Sequence, residues 1–301
     1  MPSLATDPRV DRRLAGAPIS WGVCEVPGWG VQLPPERVLA EMAELGLRAT
    51  ELGPVGYLPA EPVALRATLG ALDLDLVGGF VPLVLHEPSL DAARRAASAS
   101  AAAMAAGGAD VFVAAVVMDA AWSAPRELSG AEWARLASHL DEIDAVVAEH
   151  GLSLALHPHA GTLVETAADI ERVVASTEVG WCLDTGHLLL GGADPEAFLR
   201  DHGERVVHVH LKDVDAAVAA RYRSRELSLL EATRNGLFRP LGDGSVDLEN
   251  VLRLLDADGY DGWLVLEQDV TLDEVPPPGG GPRADVARSL EFLAGAGANR
   301  A

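Results

Sequence analysis

Five of the nine histidines in this sequence lie in three short segments that also carry acidic residues. The segments are 157–162 (HPHAGT), 183–187 (LDTGH) and 208–213 (HVHLKD), and each closes a short apolar run. A fourth apolar run, 263–267, ends in Glu267. Imidazole nitrogens and carboxylate oxygens in such a set suit one divalent cation with open coordination positions. This chemistry makes an enzyme the leading interpretation.

Short apolar runs alternate about eight times with amphipathic or alanine-rich stretches. Strand then helix, eight times, predicts one α/β domain over residues 1–301, a (β/α)8 TIM barrel with parallel strands inside a ring of helices. Ser129 and Glu132 form a capping-box pattern before one helix, and Gly151 is placed to end it. The predicted strands are 14–19, 47–52, 74–79, 111–117, 152–157, 179–184, 206–211 and 263–267, and helices are expected near 35–45, 60–70, 90–106, 130–150, 165–176, 194–202, 247–257 and 284–294.

The active site of such a barrel lies at the carboxyl ends of its strands, which is where the polar segments fall. His157, Asp184, His210 and Glu267 end four successive predicted strands, and we interpret them as the metal ligands. His159 is an alternative ligand from the fifth strand. Mixed nitrogen and oxygen donors suit Mn, Co, Zn or Fe(II), whereas Mg prefers an all-oxygen shell. Our prediction is manganese.

Further polar and aromatic residues fall near the same strand ends. Two of these residues are as readily structural as functional. His208 is as readily a hydrogen-bonded core histidine, and Glu51 is as readily a carboxylate at the start of a helix. Asp213 is as readily a simple salt-bridge partner as a carboxylate that orients Lys212 or His210. The predicted proton-transfer and charge-stabilising residues are Glu51, His187, His208, Lys212 and Arg239, and the predicted substrate contacts are Trp21, His159 and Asp213.

Two segments that contain no predicted barrel strand are expected to act as a lid and as a linker. Residues 212–246 follow the seventh strand and are predicted to cover the active site as a lid, since long ordered loops at this end of a barrel usually do so. Residues 276–282 (PPPGGGP) are typical of a linker and precede the last helix.

Charge and cysteine content restrict the partners. The 45 acidic residues against 23 basic ones give a net charge of -22, which disfavours nucleic acid and anionic membranes and favours a neutral polyol or keto-sugar substrate. Cys24 and Cys182 form no Cys-x-x-Cys pattern, and no signal peptide or membrane span is evident, so we expect reduced thiols and a cytoplasmic location. Alanine-rich helix faces such as 92–106 leave a homo-oligomer open.

The motifs resemble the sugar-phosphate isomerase/epimerase group of xylose isomerase-like barrels, which also includes endonuclease IV. The resemblance covers nearly the whole chain and rests on the segments 183–187, 208–213 and 266–267. Within the group the chain is most similar to the inosose dehydratases, through the segments 17–22, 51–53, 157–162 and 236–244. The resemblance implies metal ligation by residues 157, 184, 210 and 267. Many members have Glu where this chain has His157.

The resemblance also implies a reaction type. It implies a metal-dependent lyase that dehydrates a keto-inositol, scyllo-inosose, through an enediolate in myo-inositol catabolism. An isomerase or epimerase of a keto-sugar or inosose shares the same first proton abstraction and remains an alternative. A barrel that binds a polyol without turnover is a second alternative.

Overall fold

A computed structural model describes residues 13–26 and 28–298, and within these ranges eight parallel strands close a barrel. The order around the barrel is β1, β10, β7, β6, β5, β4, β3 and β2, so that β1 pairs with both β10 and β2. The predicted (β/α)8 fold is therefore confirmed. The barrel strands are β1 (Leu14–Gly16), β2 (Ala49–Glu51), β3 (Asp75–Leu83), β4 (Val111–Val116), β5 (Ser153–Leu156), β6 (Gly180–Asp184), β7 (Val206–Leu211) and β10 (Leu264–Leu266), and β8 (Asp213–Val214) pairs antiparallel with β9 (Phe238–Arg239).

Helices occupy the connections between the strands. The predicted capping box is present, because the Ser129 side chain accepts from the Glu132 amide while the Glu132 carboxylate accepts from the Ser129 amide. The helices are α1 (Pro35–Glu44), α2 (Pro62–Gly70), α3 (Asp91–Gly107), α4 (Gly130–Ala148), α5 (Ala167–Val174), α6 (Thr185–Leu190), α7 (Pro195–His202), α8 (Ala216–Arg223), α9 (Leu229–Arg234), α10 (Leu248–Ala257) and α11 (Pro282–Ala298). None of these helices is long and apolar enough to cross a membrane.

The interior of the barrel has an apolar layer with a polar layer above it. Small apolar side chains form two clusters apart from the large core between strands and helices, and they include Ala49, Ala155, Cys182 and Val265. Successive strand residues alternate in direction, so the residues two positions further along face the interior as well. Those residues are Glu51, His157, Asp184 and Glu267. The pleat thus places the predicted chemistry at one end of the barrel.

Some element boundaries differ from the sequence prediction. The first strand ends at Gly16, not at Ile19, because Pro18 begins a 3-10 turn, Pro18–Trp21, and proline favours the first position of a helical turn. The third strand continues past Gly79 to Leu83 and so carries Phe80 towards the polar layer. The helix α6 was not predicted, and the last helix begins at Pro282.

Residues 212–246 form an ordered substructure with a core of its own. It consists of the β8–β9 pair and the helices α8 and α9. Its apolar side chains pack with Ala160 after β5 and Leu190 of α6. These packing partners join the segment to the carboxyl end of the barrel, and its role as a lid stays a prediction.

Candidate metal centre at the barrel mouth

Three of the four predicted metal ligands come together at the carboxyl ends of the barrel strands, a region that we call the mouth. His210 Nδ1 lies 3.2 Å from Glu267 Oε2 and 3.6 Å from Asp184 Oδ2, without hydrogen-bond geometry to either oxygen. Ligand atoms of all three residues lie within 4.8 Å of one another. All three residues are buried.

His157, which follows β5, lies close to the same carboxylate oxygen of Asp184. Its Nε2 lies 3.2 Å from Asp184 Oδ2, and its Nδ1 is buried without a hydrogen-bond partner among the described residues. His157, Asp184 and His187 form a second group of ligand atoms within 4.8 Å. Asp184 is therefore shared by two overlapping donor sets.

The donor set fits a divalent cation. Ligand atoms about 2.0–2.2 Å from one ion are separated by roughly 2.8–3.6 Å in tetrahedral or octahedral geometry. The observed separations of 3.2 and 3.6 Å lie within that range. Nδ1 of His210 has no hydrogen bond among the described residues and lies near two carboxylates, an arrangement that a cation would satisfy. Nitrogen and oxygen donors alone do not select one metal.

The start of α6 fixes the orientation of Asp184. Asp184 is the N-cap of this helix, and its Oδ1 accepts the His187 amide at 2.7 Å. This bond leaves Oδ2 to face His157 and Lys212. A β-carbon at Gly186 would meet the side chain of Lys212 at 2.7 Å, so the glycine of the LDTGH segment lets the lysine approach.

Lys212 crosses the mouth as a buried cation. Its Nζ lies 2.9 Å from Glu267 Oε2, 2.9 Å from Asp269 Oδ1 and 3.1 Å from His187 Nε2. Burial disfavours the ammonium, but Asp184, Asp269 and Glu267 outweigh it and raise the pKa of Lys212 well above its ordinary value. The lysine is thus a fixed positive charge at the mouth.

Burial and neighbouring charges separate the protonation states of the other groups. Burial raises the pKa of Glu267, but His210 and Lys212 outweigh it and lower this pKa to about 2. Burial raises the pKa of Asp269 to about 6 despite Lys212. Burial, with His157 and Lys212, lowers the pKa of His159 to about 3. An ionised Glu267 and a neutral His159 therefore coexist within one site. His210 differs, because burial disfavours its charged ring but Cys182, Glu267 and Glu51 outweigh burial and raise its pKa well above its ordinary value.

Glu51 lies on the far side of His210 from the metal group. Its Oε1 accepts from His208 Nε2 at 2.8 Å and from His210 Nε2 at 3.0 Å. Burial would raise the pKa of Glu51, but the two histidines hold it well below its ordinary value. Glu51 and His208, two of the predicted functional residues, therefore lie beside His210, a candidate metal ligand.

Aromatic rings form one wall beside the metal group. The rings of Phe80 and Trp122 stack with centroids 6.1 Å apart, and His159 lies 5.5 Å from Phe80 and 3.9 Å from His187. Trp122 has a φ of 58°, a left-handed conformation that is rare for a bulky residue. The wall offers apolar faces for the C–H surface of a sugar or polyol.

The structure does not bring three predicted residues together with this group. Trp21 is fully buried and donates its Nε1–H to Glu41 Oε2 at 2.8 Å. Asp213 is buried, and its carboxylate accepts four backbone amides. Arg239 is exposed on β9 and makes no hydrogen bond or ion pair with the other site residues in the described ranges.

The sequence interpretation missed three side chains at the mouth. Asp269 follows Glu267 by two positions, so strand alternation alone could have placed it on the same face. Phe238 lies with its ring 5.1 Å from Lys212 Nζ, and no local pattern indicates this long-range contact. Trp122 lies in the loop after β4, where periodicity carries no signal.

The closed barrel and the donor set at its mouth define a (β/α)8 protein with a candidate metal centre. The pattern of the xylose isomerase-like TIM barrel family matches residues 39–295. The chain belongs to this family, which confirms the resemblance found in its motifs.

Curated relatives and a solved structure are similar over most of the chain. The rhizopine catabolism protein MocC of Rhizobium meliloti is 34% identical over 274 residues, covering 88% of this chain and 84% of the relative. The inosose dehydratase of Geobacillus kaustophilus (strain HTA426) is 34% identical over 271 residues, covering 85% and 86%. The structure of the IOLI protein with a bound zinc atom is 14% identical with a TM-score of 0.70, covering 95% and 98%, and this likeness concerns the fold.

Proposed function

We propose that this protein is a metal-dependent carbon–oxygen lyase that dehydrates a keto-inositol such as scyllo-inosose. The convergence of His210, Asp184 and Glu267 beside the fixed cation Lys212 carries the proposal. The similarity to an inosose dehydratase over 85% of the chain supports the substrate class. The acidic chain, with its net charge of -22, also suits a neutral polyol better than a phosphorylated sugar.

Asp184, His210 and Glu267 are the residues that would hold the metal, with His157 as a fourth donor. When bound, a divalent ion supplies Lewis-acid polarisation of a substrate carbonyl. We propose manganese, with zinc, cobalt, iron and magnesium as the other ions to be tested. His157 Nε2 lies 3.2 Å from Asp184 Oδ2, whereas the His159 ring lies against His187 and its Nδ1 lies 2.8 Å from the Ala160 carbonyl oxygen, so we assign the fifth-strand donor to His157.

The other residues at the mouth are suited to moving one proton and stabilising charge. Dehydration removes a C–H proton next to the ketone and returns a proton to the departing hydroxyl, so one water leaves. His187 is held neutral because burial, His159 and Lys212 hold its pKa well below its ordinary value, and it is our candidate base. Lys212 stabilises the developing oxyanion, and its ion pairs with Glu267 and Asp269 hold it in place.

An isomerase or epimerase is the second candidate. Lys212 Nζ lies 3.1 Å from His187 Nε2 and 2.9 Å from Asp269 Oδ1, so two groups able to transfer a proton lie close to the same cation. An epimerase requires such a pair on either side of one carbon. The same two groups would serve dehydration as base and acid, and the product distinguishes the reactions.

Mass-resolved product analysis tests the proposal. Manganese-loaded protein is incubated with scyllo-inosose beside a chelator-treated sample and an Asp184→Asn variant. Loss of one water that depends on both the metal and Asp184 is the expected result. A rearranged product of unchanged mass would replace the lyase with an isomerase. Saturable binding without turnover would indicate a polyol-binding barrel.

A further inference from the structure

Two histidines donate to a single carboxylate oxygen across the inside of the barrel. Glu51 ends β2, whereas His208 and His210 are on β7, and β10 and β1 lie between these strands in the barrel order. Glu51 is 3% exposed and each histidine is 1% exposed. The apolar layer below, which includes Ala15 and Ala49, is made of small residues. The carboxylate therefore lies in a dry interior, where hydrogen bonds are strong.

The bond to Glu51 has a consequence for the opposite side of the His210 ring. A carboxylate only accepts hydrogen bonds, so the Nε2 that faces it at 3.0 Å carries the hydrogen. When the ring is neutral, as a histidine that binds a metal must be, the other nitrogen, Nδ1, has a free lone pair. That Nδ1 is the atom that lies 3.2 Å from Glu267 and 3.6 Å from Asp184.

The carboxylates around His210 compete for its hydrogen. Glu267 and Asp184 on the Nδ1 side would favour the tautomer with the hydrogen on Nδ1, which cannot bind a metal through that atom. Glu51 opposes them from the Nε2 side. His208 donates to the same Oε1 at 2.8 Å and so holds the carboxylate against the His210 ring.

We propose that Glu51 is a positioning residue which fixes His210 as the Nε2–H tautomer and so directs the Nδ1 lone pair at the metal held by Asp184 and Glu267. This inference rests on the metal site of the proposed function and assigns Glu51 a task other than proton transfer to substrate. A second cation bound among Glu51, His208 and His210, whose ligand atoms also lie within 4.8 Å of one another, is the competing arrangement.

Zinc affinity and stoichiometry test the inference, measured on the metal-stripped full chain by competition with a chromophoric chelator. The variants are Glu51→Ala and Glu51→Gln, and Glu41→Gln is the control. Glu41 is also a buried carboxylate that accepts from a ring N–H, but it lies on α1 outside the barrel. Glu51→Ala is expected to bind zinc about 10–100-fold more weakly, the usual loss for such a partner.

The conservative variant separates positioning from a general loss of structure. The amide oxygen of Glu51→Gln can still accept from both rings, so its zinc affinity should remain closer to wild type than that of Glu51→Ala. Glu41→Gln should bind zinc as wild type does. Circular dichroism shows whether Glu51→Ala folds. If it does not, Glu51→Gln decides the test: a zinc affinity about 10-fold or more below that of wild type, the loss expected when such a partner is removed, overturns the inference.

Nitrogen-15 histidine spectra report the tautomer directly, with the His210 signal assigned by its loss in His210→Gln. At a pH high enough to make His210 neutral, the wild type should show hydrogen on Nε2 of His210, and Glu51→Ala should shift the population towards Nδ1. The inference is overturned if Glu51→Ala has the zinc affinity and the His210 tautomer of wild type. It is also overturned if wild type binds two zinc ions per chain and Glu51→Ala binds one. If wild type binds neither zinc nor manganese, the proposed metal function fails, and the spectra still decide the role of Glu51.

Discussion

Replacing Asp213 by asparagine should loosen the segment that follows β9 without emptying the metal site. Oδ1 of Asp213 accepts the amides of Val214 and Val246, and Oδ2 accepts those of Gly242 and Gly244, at 2.9–3.0 Å. Asparagine has one side-chain oxygen, so two of these four hydrogen bonds are lost and an NH2 group faces two amide donors. Hydrogen bonds to a charged group are each worth about 1.5–3 kcal/mol, so the loss is about 3 kcal/mol at the lower bound.

Hydrogen exchange is the direct assay, because the affected amides are known individually. A local loss of about 3 kcal/mol should accelerate the exchange of the freed amides by about 100-fold. Asp215→Asn is the matched control, since its carboxylate caps α8 through Ala217 and Val218 and does not touch residues 242–246. Its effect should be confined to α8.

Gly244 offers an independent perturbation of the same contact. A β-carbon there would lie 2.2 Å from Asp213 Oδ1, so Gly244→Ala should also speed exchange in this segment. Normal exchange in Asp213→Asn together with reduced zinc affinity would refute the reasoning. That pattern would return Asp213 to the role of orienting Lys212 or His210.

Four further outcomes are expected from single substitutions. Zinc at 100 times its dissociation constant should stabilise the wild type against unfolding by about 2.7 kcal/mol, and Asp184→Asn should lose this gain in a thermal shift assay. Trp122→Ala should raise the KM for scyllo-inosose by about 10-fold with little change in kcat, since the ring forms a wall of the mouth, and a kcat loss alone would contradict this. Arg239→Gln should leave kcat/KM within about twofold of wild type, because this side chain is exposed, and a larger loss would support its predicted role in stabilising charge on the substrate. The pKa of His159 is lowered to about 3 in the folded protein. Its contribution to the free energy of unfolding is therefore present above pH of about 6.5 and is lost as the pH falls towards about 3. Urea titrations across this pH range should show a smaller loss of stability in His159→Gln than in wild type.

The barrel could be predicted from the sequence because its signal is periodic and local. Eight short apolar runs separated by amphipathic stretches leave few other topologies. The run at 111–117 became β4, Val111–Val116, almost unchanged. The predicted ends of strands and helices were wrong where a single residue, rather than the hydrophobic pattern, decides where an element begins or ends. Pro18 ends the extended run by starting a 3-10 turn, and Asp184 caps α6 immediately after β6.

The site was predictable only in part, because some of its contacts depend on distant strands. The positions at strand ends follow from alternation, which brought His210, Asp184 and Glu267 together. The partners of Glu51 could not be derived in this way, since β2 and β7 are not adjacent and their contact crosses the barrel. Trp122 comes from a loop with no period at all.

Pairing explains how this barrel tolerates several buried charges in the polar layer above its apolar layer. Glu51, Asp184 and Glu267 are all nearly inaccessible to water, and isolated carboxylates in such a place would be costly. Each carboxylate has a compensating partner: two imidazole N–H groups for Glu51, and the Lys212 ammonium for Asp184 and Glu267. The compensation on the metal side comes from the Lys212 ammonium, which its ion pairs hold in place, whereas that of Glu51 comes from two rings on β7. A metal or substrate at the mouth would therefore change the charge around Lys212, while His210 keeps its support from Glu51.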